Sequence, residues 1–308
     1  MTYVNVGAMV QALRKAKGIS RKKLAAGILS PASLSRFEQG EQNISREKFE
    51  LLVNRLGHYT HRFFVAPLSH GDFVAYELRD AFDNALAKNN TKEMESIIAK
   101  MEQMPEFETI LHKQHLLINK ACILLRQTPK NNTLVKKLLY EAISLSIPNF
   151  EINLIPAHLL GMEDKTIINM LASIAFEEGD GDKAIEMLEK LVHKIKMSEV
   201  DSFDKARSLT QALYNLSKFL GIRGHYQEAL VVCNDAIETG REFQVYGNMP
   251  SLLFNKAFCF HHLNKHNEVA GLIMQAYYMA TGHGDDFTAN AIKQQASTSL
   301  NIKMAIIT

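Results

Sequence analysis

The chain is poor in residues that interrupt a helix. Only 7 prolines and 16 glycines are spread over 308 residues, and long stretches of apolar periodicity run between them. That combination points to an all-α protein. No stretch of about 18 apolar residues occurs, which excludes a membrane-spanning helix. The opening residues "MTYVNVGAMV" lack the basic start and apolar core of a secretory signal. Cysteine is scarce: Cys122, Cys233 and Cys259 are odd in number, scattered and without a CxxC pair. Such cysteines fit a reducing cytoplasm, where they serve as small buried apolar residues. Also missing are a Gly-rich phosphate loop, HExxH and GxSxG. The pairs His58/His61, His112/His115 and His262/His266 have spacings that a metal could use, but no cysteine or carboxylate partners accompany them, and they read as solvated turn histidines. The expectation is a cytoplasmic protein that is not an enzyme, with no catalytic residue, no metal and no cofactor.

What is present is core-forming material and an uneven charge. Hydrophobic residues make up 46% of the chain, and the length is enough for two domains. Residues 1–66 carry eleven Lys/Arg against four Asp/Glu, whereas the remainder holds 24 basic and 29 acidic residues. A small basic module joined to a larger acidic one suggests that the front meets a polyanion.

The front reads as short helices with explicit start signals. The first spans about Val6 to Lys17, with Val6, Met9, Val10 and Leu13 on one face and Gly18 closing it. Ser20 caps "RKKLAAG". Ser30 caps a third helix whose first position is Pro31, where a missing N–H costs nothing. Ser45 caps "REKFELLVNRLG", with Phe49, Leu52, Val53 and Leu56 facing inward. A fifth, short helix is expected near Thr60–Val65. Two short helices joined by a tight turn of small residues form a helix-turn-helix unit. A helix that enters a DNA major groove presents short polar side chains at its N-terminal end and apolar ones behind. In "SPASLSRFEQGE", Leu34 and Phe37 supply the buried side, while Ala32, Ser33 and Arg36 project outward. Ser30 and Ser35 are positioned for a cap and a phosphate contact. The starts of helices 2 and 3 can receive phosphates on backbone N–H groups. Ser20, Arg21, Lys22 and Lys23 therefore read as phosphate contacts, with an ordinary solvated run as the alternative.

The pattern "ALRKAKGISRKKLA…SLSRFEQGE" resembles the Cro/repressor type of helix-turn-helix over residues 5–66. That resemblance implies an ion pair between a basic residue late in helix 1 and the glutamate of the S-R-x-E-x-G segment, here Arg14 and Glu38. The chain departs from many such relatives where they carry glutamine at the starts of helices 2 and 3. Ser20/Arg21 and Pro31/Ala32 stand there instead, so the operator sequence is not predictable.

Beyond Pro67 and Gly71 the chain repeats. "LYNLSKFLGIRGHYQEALVVCNDAI" (213–237) aligns with "LFNKAFCFHHLNKHNEVAGLIMQAY" (253–277), 40 residues on, and with "NMLASIAFEEGDGDKAIEMLEKLV" (169–192). Gly179 falls over Gly224, and Ala184 over Ala229. A weaker copy is 118–143, and a first unit near 73–104 turns at Asn89-Asn90. Each unit is a helix, a tight turn and a second helix, and a helix from about Asp285 to Met304 reads as a cap. The units resemble tetratricopeptide repeats, with a period longer than the usual 34 or so residues. The expected architecture is all-α: residues 1–66 as a five-helix helix-turn-helix domain, 67–72 as a linker, and 73–308 as a right-handed TPR-like solenoid of about five helix pairs plus the capping helix.

A Cro-type front joined to such repeats resembles the RRNPP peptide-pheromone receptors, particularly the Rgg-like regulators. The resemblance implies a DNA-bound homodimer on a palindromic operator and a short signalling peptide held in the concave groove of the repeats. Asparagine both donates to and accepts from an extended peptide backbone. The candidate groove residues on first helices are Arg79, Asn119, Arg126, Asn169, Asn215, Lys218, Asn255, Phe258 and His262. Two other readings stay open: a repressor whose repeats hold a protein partner, as in phage repressor–antirepressor pairs, and an interaction adaptor that does not bind DNA.

Overall fold

The computed structural model of the chain describes residues 6–57, 70–198 and 202–302. Those residues hold fifteen α-helices and no strand. The first four are α1 (Val6–Ala16), α2 (Arg21–Ala25), α3 (Pro31–Gln39) and α4 (Arg46–Arg55). The short helix expected near Thr60–Val65, and Pro67, lie outside the described residues.

Serine side chains start three of these helices. The Oγ atoms of Ser20, Ser30 and Ser45 accept from the backbone N–H of Lys23 (3.2 Å), Ser33 (3.1 Å) and Lys48 (3.4 Å). Each serine has extended backbone angles, as an N-cap requires. Helix α3 stops at Gly40, whose φ of 78° is the left-handed conformation open to glycine at little cost. The core of this front region is Val10, Leu24, Ala25, Leu34, Phe37, Phe49, Leu52, Val53 and Leu56. Phe37 and Phe49 meet edge to face at 6.3 Å. Each large side chain buried there stabilises the fold by roughly 1.5–3 kcal/mol.

Five consecutive helix pairs follow: α5 (His70–Ala87) and α6 (Thr91–Met101), α7 (Ile110–Leu124) and α8 (Asn132–Ser146), α9 (Met162–Glu177) and α10 (Gly181–Lys196), α11 (Ser202–Ile222) and α12 (Tyr226–Glu242), α13 (Met249–His262) and α14 (His266–Gly282). Helix α15 (Asp286–Leu300) comes last. The long repeat period has a simple source: α11 has 21 residues and α12 has 17.

One turn is used again and again. Asn89, Gly179, Gly224, Asn264 and Gly284 all have positive φ. The residue after each closes the turn with a 2.9 Å bond from its N–H to the carbonyl five residues back: Asn90 to Ala85, Asp180 to Ala175, His225 to Leu220, Lys265 to Phe260 and Asp285 to Ala280. This is the six-to-one bond of the Schellman motif, and it satisfies a carbonyl that the helix end leaves open. The α7–α8 connection is different. It spans residues 125–131, contains Pro129 and has no positive-φ residue, which is why the repeat signal fades in that stretch.

Gly71 was expected within a linker over 67–72 and is helical instead. Helix α5 already begins at His70, and a Cβ on Gly71 would come within 1.7 Å of Glu106 Oε1. The glycine makes room for a neighbouring side chain. The described residues fall into two compact units. One comprises Met1–Phe82, Lys92–Ile167 and Ser198–Asp204; the other comprises Asp83–Thr91, Ile168–Met197 and Lys205–Thr308. The first unit therefore takes in helices on both sides of the expected boundary at 66–73. In the second, α13 packs on both α12 and α14, and α15 closes against α14.

Candidate functional site

Helix α3 divides its residues cleanly between core and solvent. Leu34, Phe37 and Glu38 are buried, Ser33 and Ser35 are half-buried, and Ser30, Pro31, Ala32 and Arg36 are exposed. Ser30 Oγ lies 2.9 Å from Ser33 Oγ, so these two hydroxyls are partly occupied with each other. Lys22, Lys23 and Arg36 are exposed and have no ion-pair partner among the described residues. An anion meeting this face finds their cations and the N-termini of α2 and α3.

Beneath that face, Glu38 is fully enclosed and takes three charged hydrogen bonds. Arg14 grips it as a fork, Nε to Oε1 at 2.6 Å and Nη2 to Oε2 at 2.8 Å. Arg21 Nε donates to Oε2 at 2.8 Å. Arg14 also donates to the carbonyl of Ile19 at 3.0 Å. Burial alone would raise the Glu38 carboxyl, but the bonds from Arg14 and Arg21 and their charges carry it below its ordinary value. The same carboxylate raises the Arg14 guanidinium, chiefly through their hydrogen bond. Sequence reading gave Arg21 a phosphate contact, with a solvated surface charge as the alternative. In the fold it also clamps α2 to α3, because a residue at the start of α2 lies over the buried face of the next helix.

Helix α4 joins the front to later helices within the same compact unit. Asn54 Nδ2 donates to Glu163 Oε2 at 3.0 Å, and Arg79 Nη2 meets Glu163 Oε1 at 2.9 Å. Arg55 Nη2 donates to the Ser146 carbonyl at 2.6 Å. The Ile110 N–H, at the start of α7, donates to Glu47 Oε1 at 3.0 Å. Gly161 faces Asn54 so closely that a Cβ would lie 1.9 Å from its Oδ1. Arg79, expected to face a ligand, is thus engaged with Glu163, an ion pair spanning 84 residues of sequence. Asn54 and Glu163 went unnoticed in the sequence because nothing local distinguishes them.

The repeat asparagines also depart from expectation. Their amides were expected to donate to and accept from a peptide backbone. Within the second unit they are bonded instead. Asn215 Nδ2 donates to Asn169 Oδ1 at 3.1 Å and reaches Ser173 Oγ at 3.4 Å. Asn255 Nδ2 donates to Ser217 Oγ at 3.0 Å and to the Tyr214 carbonyl at 3.3 Å. Helices α11 and α13 therefore each direct a side-chain amide to the first helix before them, α9 and α11. The physical reason is burial: Asn169 and Asn215 are 7% and 8% exposed, and a buried N–H finds a partner. No hydrogen bond reaches the Oδ1 of Asn215 or Asn255 among the described residues. Ser173, one turn after Asn169, was the available signal for this arrangement.

The other candidates are spread out. Asn119 is 3% exposed, and its Nδ2 lacks a hydrogen-bond partner among the described residues. Arg126 is exposed, with Nη1 on the Cys122 carbonyl at 2.9 Å, and Lys218 is exposed on α11. His262 stacks on Tyr226 at 4.7 Å and lies 4.5 Å from Phe258, forming a small aromatic group. His112 and His115, read as solvated, are not. His112 is 3% exposed between Tyr76 and Phe107. Burial, with the charge of Arg79 behind it, holds the His115 imidazole well below its ordinary range. Among the described residues no group of three His, Cys, Asp or Glu is arranged to hold a metal ion. No described helix is long and apolar enough to cross a membrane.

A helix-turn-helix family model, HTH_3, matches residues 10–64. The whole chain is similar to several solved structures. PlcR of Bacillus thuringiensis, in complex with the peptide PapR7 and DNA, is 17% identical with a TM-score of 0.60, over 94% of this chain and 98% of that one. ComR from Streptococcus vestibularis, in complex with its cognate signalling peptide XIP, is 14% identical with a TM-score of 0.51, over 95% and 97%. ComR from S. thermophilus, in complex with DNA and its signalling peptide ComS, is 17% identical with a TM-score of 0.50, over 96% and 100%. At these identities the shared property is the fold: an N-terminal helix-turn-helix followed by a helical repeat-like region.

Proposed function

We propose that this chain is a DNA-binding transcriptional regulator whose repeat region binds a short signalling peptide and thereby alters DNA binding or activation by a homodimer. The observation that carries the reading is the fold match to PlcR, a protein solved with peptide and DNA, over nearly the full length of both chains. It is supported by the open face of α3 and the unpaired cations around it. In this reading Arg36, Ala32 and Ser33 meet base edges or the groove floor. Ser20, Lys22, Ser30 and Ser35 meet phosphates, and Arg21 contributes its outward side while holding Glu38. The operator is palindromic, because a two-fold dimer presents two copies of one short helix. The protein works in the cytoplasm, where both DNA and imported peptide are at hand.

For the ligand, Asn215 and Asn255 offer their Oδ1 atoms to backbone N–H groups of an extended peptide, their nitrogens being held by the first helix of the pair before. Lys218, Phe258 and His262 lie on first helices and supply charge and apolar contact, whereas Arg126, expected on a first helix, falls just past the end of α7 in the connection to α8. Asn119 and Asn169 contribute in the earlier repeats, and Arg79 at the first.

The test is a thermal-shift titration of the full chain with synthetic peptides taken from short reading frames beside its gene. Ligand at 100 times its Kd adds about 2.7 kcal/mol to the folded state, a readable rise in Tm. A saturable rise that Asn255→Ala removes is the expected result. No rise with any peptide would overturn the peptide-receptor reading and leave the DNA-binding half to be judged by anisotropy with operator DNA.

A further inference from the structure

The first compact unit contains a recess whose two walls are helices that the proposed peptide site does not use. Helices α6 and α8 are the second members of their pairs, and between them, with the end of α7 as floor, lies a cavity of about 430 Å³. Ile98 and Ile123 are buried at its base. Ala99, Leu124 and Leu138 continue the wall, and Leu134 is left 39% exposed. The volume falls in the usual range of binding pockets, roughly 300–1,000 Å³.

The seam between second helices is not open everywhere. In the other unit, α10 and α12 are bridged by an ion pair, Lys196 Nζ to Asp235 Oδ2 at 2.6 Å. At the α6–α8 recess, the residues that α8 contributes to the lining are Leu134 and Leu138, which carry no charge. The charged side chains that line the cavity are Glu95 and Glu102 on α6 and Lys120 on α7. Lys120 is spent on Glu102 at 2.6 Å. Glu95 is exposed and has no ion-pair partner among the described residues. The recess is therefore apolar inside and carries one uncompensated negative charge at its rim. Glu95, Ala99 and Glu102 mark its length along α6, seven residues or about 10 Å. That is two turns of a helix laid alongside, room for two apolar side chains one turn apart.

From this geometry we infer that the α6–α7–α8 recess is a docking site for a basic amphipathic helix of a partner protein. Two apolar anchors enter the cavity, and a Lys or Arg beside them pairs with Glu95. This is the helix-in-groove mode of recognition, in which apolar residues recur at i and i+3 or i+4. The site is separate from the peptide reading above and does not depend on it.

The experiment uses the full-length protein and a fluorescein-labelled, 18-residue designed helix of leucine and lysine, read by anisotropy. An otherwise identical leucine–glutamate helix serves as the comparison. The expected result is saturable binding of one lysine helix per chain, with the glutamate helix at least tenfold weaker. Glu95→Lys weakens the lysine helix by about fivefold, the scale of turning an exposed attraction into a repulsion. Ala99→Trp fills the recess and abolishes binding. Ala99 is exposed, so this variant keeps its Tm; Leu134→Arg blocks the same recess from α8 as an independent check. The inference is overturned if Ala99→Trp and Leu134→Arg bind the lysine helix as wild type does, or if both designed helices bind equally.

Discussion

Glu38 joins three helices of the front region through one buried carboxylate. Its carboxylate is fully enclosed and held by Arg14 and Arg21. Replacing one member of a buried pair leaves the other charge uncompensated, so Arg14→Ala is expected to cost about 3 kcal/mol, measured by urea unfolding. The pH dependence has a definite sign. The folded carboxyl lies below its ordinary value, so its contribution is fully present above the unfolded value and is lost as pH falls through the folded one. Glu38→Gln should accordingly be less stable than wild type at pH 7 and converge on it in acid. Lys165 gives the same sign in a higher pH window, for a different reason. It is 5% exposed, and burial pulls its ammonium down to about 8 despite Asp164, Asp204 and Glu163 nearby. Between that value and the unfolded one, the unfolded chain binds more protons, so wild-type stability rises with pH there, by up to about 1.4 kcal/mol per unit. Lys165→Met should lack this rise, which thermal melts from pH 7.5 to 10 would reveal. The buried thiols are pushed up, Cys233 to about 11 and Cys259 to about 12, and should resist a disulfide reagent until the protein is unfolded.

At the scale of elements, the short helix that reads DNA in the proposed function depends on its cap and its turn. Ser30→Ala removes the bond to the Ser33 N–H and should cost about 1 kcal/mol. Arg36→Ala touches only the exposed side of α3 and should leave Tm unchanged while lowering operator affinity. Equal affinity would remove Arg36 from the reading face. The asparagine ladder makes a prediction of another kind. Asn215→Ala breaks two bonds between first helices and strands Asn169 Oδ1, so a loss of about 1–2 kcal/mol in stability is expected alongside weaker peptide binding. Asn215→Asp keeps an oxygen toward the ligand but no donor toward Asn169. Unchanged melting for both variants would mean that the ladder contributes nothing to the stack. Element boundaries were largely readable beforehand, because serine caps and glycine or asparagine stops act within one turn. The α7–α8 pair was the least readable, since its connection lacks that stop.

For the whole molecule, the basic front of residues 1–66 predicts a steep salt dependence. The logarithm of the DNA association constant should fall with the logarithm of salt concentration by roughly 0.9 for each phosphate neutralised. A flat line would favour an adaptor that does not bind DNA. Helix α4 ties the front to α7 and to the segment around Ser146 and Glu163 through Glu47, Asn54 and Arg55. Gly161→Ala would push Asn54 away from Glu163 and should destabilise the unit by more than a surface change does.

The helical class, the caps, the repeated turns and the basic front were all legible in the residues alone. Through family resemblance the sequence also indicated the Arg14–Glu38 pair. Those features depend on neighbours within a few residues, on regular spacing, or on a motif short enough to read. That Arg79 and Asn54 share Glu163, across 84 and 109 residues, followed from the packing of the folded chain. That packing alone turned the asparagine nitrogens into the stack and buried His112. Packing brings such groups together, and the need of each enclosed polar atom for a partner then sets which way the side chain points.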